Sequence, residues 1–464
     1  METTTNTAAS TVTTMTNISW LTCFLLITSG PFLAVLYQLC VCLTYAINHE
    51  LPWSCLVAKP MTLRMSFWVA SIAIAMGMAM GKTNKNNDDD WWWQYKLIPS
   101  CLVGLTLWIC SVYALQSTRR ATVVGIPDDA VPFYGSDAMK DKIVVITGAN
   151  NGIGKETAYQ LACMGATVVM LCRSTKRAEA AVQELCQRKC QCCSDTCLRK
   201  EQFIVIEMDL GHFESIRNAV EVLKQRLLQL QVHVLINNAG LMMGHPAKSQ
   251  DGYELMMQAN HLGHFLLTQL LIQEDMMSMK NDKEARVINL TSCTYSMASK
   301  TGFDFDDMFC DKGSRKYTLF GQYSMTKLAN LLHVKELVRR NSNGNLLVYA
   351  VHPGIVRTSV TKNMQWFLRI PNDIFGFLVA TMQKTPTEGA YSTVYVAAAA
   401  TPEPPIKNGS YIVNCKPHPV LPCADSDADA KRLWDVSEEL VGLCNVNKKY
   451  EHNDNKDDAE EKKE

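Results

Sequence analysis

The stretch KIVVITGANNGIG, residues 142–154, decides the fold of this 464-residue chain. Its first half is a run of Val and Ile ending at Thr147, which is typical of a buried parallel strand. Gly148, Gly152 and Gly154 follow directly and lead into a helix-length segment. Glycines in such a turn let the backbone approach a pyrophosphate, whose charge then lies at the helix N-terminus. The stretch predicts a dinucleotide site, although its spacing is not GxGxxG and a plain glycine-rich turn is the alternative.

Five more short apolar runs follow the first strand. They are rich in Val, Ile and Leu and lie at 166–172, 203–208, 232–237, 286–291 and 346–351. Helix-length segments separate them, for example 152–164 and 214–230. This alternation predicts an α/β fold with a doubly wound parallel sheet of the Rossmann type.

The composition changes near residue 118. Before it lie three apolar runs, at 18–47, 65–81 and 97–115, and a membrane-spanning helix needs about 20 apolar residues. We predict an N-terminal membrane region with about three transmembrane helices over 1–117. A buried helical bundle is the alternative, and the first run alone could be a cleaved signal peptide. Lysine and arginine counts beside the runs do not decide the orientation.

The remaining domain limits follow from the same shift in composition. We predict a linker over 118–139, a catalytic domain over 140–447, and a solvated, disordered charged tail over 448–464.

Charge and cysteine content narrow the class of protein. The 45 basic and 45 acidic residues balance, and no basic stripe indicates a nucleic-acid surface. The 18 cysteines lack the spacing of a small secreted disulfide scaffold, which favours a reduced, cytosol-facing domain. Five of them cluster at 186, 190, 192, 193 and 197 without two clean CxxC pairs, so we predict an unligated loop and no metal site, with zinc binding or acylation as alternatives.

The end of the second strand bears on the choice of cofactor. An acidic residue there would hold the ribose 2′-hydroxyl of NAD, but this chain has Arg173. An arginine pairs with a 2′-phosphate, so NADP(H) is favoured, and a solvated surface arginine is the alternative.

The pair Tyr323 and Lys327 indicates a tyrosine that takes part in proton transfer. Positions i and i+4 share a helix face, so the lysine ammonium would lie beside the phenol. A nearby cation lowers a phenol pKa, which suits proton transfer near neutral pH. The pair follows a fifth strand whose end carries Ser292, which could bond the reacting oxygen.

Five motifs in order resemble the short-chain dehydrogenase/reductase family. They are TGANNGIG at 147–154, NNAG at 237–240, Asn260, Ser292, and the pair Tyr323 and Lys327. The resemblance covers about 140–445. Within the family the chain is similar to the retinol dehydrogenase group through LCR at 171–173, NHLGHFLLT at 260–268, YSMTKLAN at 323–330, VHPG at 351–354, KTPTEGA at 384–390 and LWDVSEELVGL at 433–443.

The resemblance implies a role for each matching residue. Tyr323 would be the general acid/base, Lys327 would bind ribose and tune the tyrosine, Ser292 would orient the substrate oxygen, and Asn260 would hold a water in a proton relay. Cofactor contacts are implied for Gly148, Asn150, Gly152, Ile153, Gly154, Arg173, Asp209, Leu210, Asn238, Ala239, Gly240, Tyr323, Lys327, Pro353, Gly354, Val356 and Thr358. Among them Asp209 would meet the adenine, and 353–358 the nicotinamide end. From the residues alone, Asn238 is equally well explained as structural.

The resemblance further implies a lipophilic substrate such as a retinoid, a sterol or a lipid aldehyde. We therefore expect a multi-pass enzyme of the endoplasmic reticulum membrane, facing the cytosol, that transfers hydride between NADP(H) and an alcohol/carbonyl pair. The apolar segment 364–382 could form a lid or meet the membrane interface. The alternative function is a membrane scaffold with a retained nucleotide-binding domain. The sequence does not determine the oligomeric state.

Overall fold

The computed structural model describes residues 137–188, 198–228, 230–277, 284–298, 302–313, 315–341, 345–356, 383–398 and 406–443. Within these ranges no helix has both the length and the apolar character needed to cross a bilayer. The predicted membrane region, most of the linker, the segment 364–382, Thr358 and the charged tail lie outside the described residues. So do four of the five clustered cysteines, while Cys186 is half-buried near the end of a helix.

A single sheet runs through the described part of the chain, with eight strands in the order β3-β2-β1-β4-β5-β6-β7-β8. Their bounds are β1 Ile143–Thr147, β2 Thr167–Cys172, β3 Phe203–Glu207, β4 Val234–Asn237, β5 Ala285–Leu290, β6 Leu346–His352, β7 Tyr411–Val413 and β8 Lys416–His418. The six predicted strands are confirmed within two residues at each end, because each is a buried Val/Ile/Leu run whose pattern is local.

The last two strands were missed. β7 and β8 are three residues long, which is too short for a periodic pattern to stand out. β8 also contains Pro417 and pairs antiparallel with β7, so the sheet is not parallel throughout. A proline is tolerated there because β8 is an edge strand.

The helices cover both faces of the sheet. Their bounds are α1 Gly152–Cys163, α2 Thr175–Gln187, α3 Phe213–Leu227, α4 Leu255–Met257, α5 Gly263–Gln273, α6 Leu319–Arg340, α7 Pro386–Ala398 and α8 Asp427–Leu440. A π-helical turn, Gln258–Leu262, joins α4 to α5. Short 3₁₀ turns lie at Lys200–Gln202, Cys293–Met297 and Pro422–Ala424.

Two separate apolar clusters fill the two sides of the sheet. One joins it to α1, α2 and α7, and the other joins it to α3, α5, α6 and α8. On β1 the neighbours Val144 and Val145 belong to opposite clusters, and both are fully buried. Burial on both faces explains the continuous apolar strands and confirms the doubly wound fold.

The sheet order places a crevice beside β1. Its parallel partners are β2 on one side and β4 on the other. Successive strands are therefore added on one side of β1 up to β3 and on its other side from β4 onward. In open α/β sheets, ligands bind at such a point, outside the carboxyl ends of the strands. The predicted site residues follow these ends.

The C-terminal helix α8 closes the cluster over α5 and α6. The Trp434 ring lies 5.0 Å from the ring of Phe265, centroid to centroid, and 4.5 Å from the Arg340 guanidinium carbon. Phe265 and Trp434 are 1% and 4% exposed. The last helix is therefore part of the core.

We predict that Phe265→Ala lowers the free energy of unfolding by about 3 to 5 kcal/mol, because it leaves a cavity among α5, α6 and α8. Urea unfolding of the full chain, followed by circular dichroism, measures this loss. Phe320→Ala is the matched control, since Phe320 is 37% exposed. Equal losses for the two variants would contradict the packing described for α8.

Candidate active site

The glycine turn after β1 has no room for side chains. Gly148 and Gly152 have φ angles of 66° and 56°, a region that favours glycine. A Cβ atom on Gly154 would lie 2.4 Å from Asn238 Nδ2 and 2.6 Å from the Gly148 carbonyl oxygen. Asn151 caps α1, its Oδ1 accepting from the Gly152 amide at 2.8 Å. A close backbone turn at a capped helix N-terminus fits the pyrophosphate of a dinucleotide.

Thr147 ties this turn to the end of β4. Its hydroxyl oxygen accepts from the amides of Asn238 and Ala239, at 3.0 and 2.9 Å. It also lies 2.9 Å from His264 Nε2. Since two donors already occupy the oxygen, the hydroxyl donates to His264.

That bond assigns the His264 tautomer. With Nε2 accepting, the proton is on Nδ1, which donates to the Asn260 carbonyl oxygen at 3.1 Å. Burial lowers the pKa of His264 to about 3, so the ring is neutral near pH 7. One continuous set of bonds therefore links the glycine turn to the π-helical turn that holds Asn260.

Asn238 has the structural role that its sequence position left open. Its Nδ2 donates to the Thr147 carbonyl at 2.8 Å and, more weakly, to the Gly148 carbonyl at 3.5 Å. These bonds hold the glycine turn against β4. A direct contact between Asn238 and the cofactor stays a prediction.

Tyr323, Lys327 and Asn260 meet at the carboxyl ends of β4 and β5. Lys327 Nζ lies 5.5 Å from the centroid of the Tyr323 ring, as their shared helix face predicted. A Cβ atom on Gly240 would lie 3.6 Å from Asn260 Oδ1 and 3.7 Å from Lys327 Nζ. Gly240 therefore lies beside both polar groups.

Hydrogen bonds hold Asn260 and Lys327 in place. Asn260 Oδ1 accepts from the Leu241 amide at 2.8 Å, and its Nδ2 donates to the Leu241 carbonyl and to Thr326 Oγ1 at 2.9 and 3.1 Å. Lys327, 3% exposed, donates to the Leu290 carbonyl at 3.0 Å. An ammonium has three protons, so this bond leaves two for a ligand such as a ribose hydroxyl.

The predicted lowering of the tyrosine pKa is wrong for this structure. Burial raises the pKa of Tyr323 above its ordinary value, and the Cys293 thiol raises it further. Burial also lowers the pKa of Lys327 to about 8. Desolvation disfavours the charged form of both groups and sets the direction of both shifts.

Ser292 lies near the end of β5, as predicted, with Thr291 between it and the strand. It begins the 3₁₀ turn Cys293–Met297, and its Oγ accepts from the Thr294 amide at 3.3 Å. This turn packs against α6, the helix of Tyr323. The fold thus brings the turn that follows Ser292 into contact with α6, the helix that carries Tyr323.

The other predicted cofactor residues follow strand ends as well. Arg173 is exposed directly after β2. Asp209 Oδ1 accepts from the Gly211 amide at 2.9 Å after β3, and Leu210 beside it is buried. The segment 353–356 follows β6, with Gly354 at φ 86°. Asn150 and Ile153 are half-buried in the glycine turn.

Sequence reasoning missed His264, Lys384 and Asn414. The contact between Thr147 and His264 joins residues 117 apart in the chain, and the bond from Lys384 to Asn414 joins residues 30 apart, so no local spacing predicts them. The only available signals were family motifs, because NHLGHFLLT contains His264 and KTPTEGA begins at Lys384.

Comparisons with known proteins identify the family of the chain. Residues 142–303 match the short chain dehydrogenase family. The chain is 37% identical to bovine retinol dehydrogenase 12 over 340 residues, covering 73% of this chain and 97% of the relative. It is 36% identical to human retinol dehydrogenase 14 over 309 residues, which is 66% of this chain and 88% of the relative. A crystal structure of an uncharacterised protein from Mycobacterium paratuberculosis superposes with a TM-score of 0.50 at 30% identity, covering 68% of this chain and 97% of that one.

We predict that Thr147→Val destabilises the protein by about 2 kcal/mol or more, because a buried group left without its partner costs about 1 to 3 kcal/mol. NADPH should also bind more weakly, since the glycine turn loses its link to β4. Urea unfolding and NADPH fluorescence titration measure the two effects.

Thr157→Val is the matched control for this change. Thr157 is fully buried, and its hydroxyl has no hydrogen-bond partner among the described residues, so valine should be nearly neutral there. Similar effects of both substitutions would refute the linking role of Thr147.

Proposed function

Because the chain belongs to the short-chain dehydrogenase/reductase family, in the group of the retinol dehydrogenases, we propose that it transfers hydride between NADP(H) and a lipophilic alcohol/carbonyl pair. Membership in this family makes it an oxidoreductase. One observation carries the proposal: Tyr323 and Lys327 lie on one helix face, beside Asn260 and Gly240, at the carboxyl edge of the sheet.

The bound cofactor would supply the hydride, and the chain's own residues handle the proton. The raised pKa of Tyr323 keeps its phenol protonated near neutral pH. A protonated phenol suits donation to the oxygen of a carbonyl as that oxygen gains charge. Ser292 would hold the same oxygen. Abundant cytosolic NADPH would favour reduction as the direction of the reaction.

Lys327 and Asn260 would continue the proton path. Near neutral pH the Lys327 ammonium is charged, since its pKa of about 8 lies above the ambient pH. It would bind the cofactor ribose with the protons not used by Leu290. Asn260, fixed by Leu241 and Thr326, would hold a relay water beside it.

The preference for NADP(H) rests on Arg173. It is exposed immediately after β2, at the position where an acidic side chain would select NAD. An exposed guanidinium there is available to a 2′-phosphate.

A lipophilic substrate and a membrane location are the remaining parts of the proposal. The two relatives named above are retinol dehydrogenases, and retinol is an apolar alcohol. The apolar runs before residue 118 support an anchored, multi-pass protein. We propose the endoplasmic reticulum membrane, with the catalytic domain facing the cytosol.

We predict that Tyr323→Phe lowers turnover by about two to four orders of magnitude, the range for losing a general acid. NADPH affinity should stay within about two-fold, because the change removes only the phenol oxygen and leaves the Lys327 ammonium in place. NADPH oxidation by the full chain in detergent, with retinal, steroid ketones and long-chain aldehydes, measures turnover.

Tyr349→Phe is the matched control, since Tyr349 is buried in the cluster on the opposite face of the sheet. Full activity of Tyr323→Phe would sink the mechanism. Saturable NADPH binding by the unmodified chain without turnover of any substrate would favour the scaffold alternative.

A second prediction tests the cofactor. Arg173→Asp should weaken NADPH at least about ten-fold, the equivalent of one hydrogen bond to a charged group, while NADH binds as before or better. Titration of both cofactors gives the ratio. Arg226→Asp, an exposed change of the same charge at the end of α3, controls for long-range electrostatics. An unchanged NADPH/NADH ratio would show that Arg173 does not meet the 2′-phosphate.

A further inference from the structure

Lys384 is a buried cation outside the catalytic group. It is 1% exposed, just before α7 and remote in sequence from Tyr323 and Lys327. Burying an ammonium is costly unless specific contacts hold it. Its contacts therefore indicate what the residue does.

The backbone and the stem of Lys384 both contact the segment after β6. Its amide donates to the Ile355 carbonyl at 2.7 Å. Its side chain lies against Gly354, where a Cβ atom would be 2.9 Å from Lys384 Cδ and Cε and 3.1 Å from Nζ. Gly354 also has a φ of 86°. The lysine stem thus occupies the space beside a glycine that no other residue could replace without strain.

The tip of Lys384 is held by the β7–β8 hairpin. Nζ donates to Asn414 Oδ1 at 2.5 Å. Asn414 and the next residue, Cys415, have φ angles of 51° and 61°, which are costly for residues other than glycine. The Cys415 amide bonds to Ser392 Oγ on α7 at 3.1 Å. The strained turn is thereby fixed with the Asn414 side chain facing the ammonium.

The far side of the same segment reaches the glycine turn. A Cβ atom on Gly389 would lie 2.6 Å from Val356 Cγ2 and 3.4 Å from Ile153 Cγ1. Val356 and Ile153, at the start of α1, therefore both lie against Gly389 of α7. Lys384 thus contacts one of the two segments that the family resemblance assigns to the cofactor, and α7, which begins two residues after it, contacts both.

Several titratable groups surround the ammonium. Burial lowers the pKa of Lys384 to about 8, while Cys415 and Glu388 oppose the shift. Burial, with the Lys384 charge acting in the same direction, lowers the pKa of His352 to about 3, so that ring is neutral. Burial raises the pKa of Cys415 to about 11, so the thiol is neutral as well.

We propose that Lys384 is a positioning residue for the cofactor: bonded to Asn414, it fixes residues 353–356 in the conformation that receives the nicotinamide end. This inference rests on the proposed function, because the role of 353–356 comes from the family. Lys384 acts through the loop and touches no reacting atom.

The test compares Lys384→Met, Asn414→Ala and the double variant in the full chain. Each single change should raise the Kd and the KM for NADPH about ten-fold, the loss expected for one hydrogen bond to a charged group, and change kcat much less. Because both residues act through one bond, the Kd of the double variant for NADPH should not exceed the higher of the two single-variant values. Lys224→Met, which removes an exposed lysine bonded to Glu274, is the matched control.

A pH series separates positioning from simple packing. Lys384 is protonated below a pH of about 8 and neutral above it, so the Kd for NADPH should rise between pH 7 and 9. Lys384→Arg, which keeps its charge, should lack this part of the rise. The pKa of Lys327 is also about 8, but Lys327 titrates in the parent chain and in Lys384→Arg alike. The difference between their two curves of Kd against pH therefore reports the titration of Lys384.

Either variant can overturn the inference. A folded Lys384→Met or Asn414→Ala protein with a Kd within about two-fold of the parent would refute it, whatever its melting temperature. If Lys384→Met does not fold, Asn414→Ala and the Lys384→Arg pH curve decide. Failure of the proposed function is distinguishable, because it would appear as missing turnover in the parent chain while the NADPH titrations still report on Lys384.

Discussion

The bond between the Thr147 hydroxyl and His264 is the contact on which the site geometry depends. It closes a chain of hydrogen bonds that starts at the amides after β4, passes through the first strand, and ends at the Asn260 carbonyl. Each group in this chain has one possible donor or acceptor role once the histidine is neutral. Burial keeps it neutral by lowering its pKa far below physiological pH. One buried network of hydrogen bonds thus fixes the position of the glycine turn relative to the π-helical turn that carries Asn260.

Burial also sets the protonation states of the reactive groups. Tyr323 has a raised pKa and Lys327 a lowered one, both because their charged forms lose water. From the spacing of the pair alone, the attraction between phenol and ammonium was expected to dominate. It does not, since burial is the main cause of the pKa shift of each group. The consequence is a tyrosine that holds its proton until a substrate oxygen takes it.

Two parts of the chain outside the six predicted strands support the elements that carry the site. The C-terminal helix α8 seals the cluster behind α5 and α6 with Trp434. The β7–β8 hairpin, only three residues per strand, carries Asn414 to Lys384 beneath the segment after β6. Neither contains Tyr323, Lys327, Asn260 or Ser292, so both act through the elements that they pack against. Conformational strain at Asn414 and Cys415 is tolerated because the surrounding bonds define that turn.

The sequence alone determined the six long strands, the glycine turn, the helix carrying Tyr323 and Lys327, and the family. Each of these is a local pattern, a run of apolar residues or a fixed spacing, and local patterns are visible in one stretch of chain. Only the tertiary structure decided the short hairpin, the structural role of Asn238, the partners of His264 and Lys384, and the direction of the tyrosine pKa. These depend on groups that lie far apart in the chain, such as Thr147 and His264 or Lys384 and Asn414. Burial and hydrogen-bond partners are properties of packing, and packing exists only once the whole sheet has assembled.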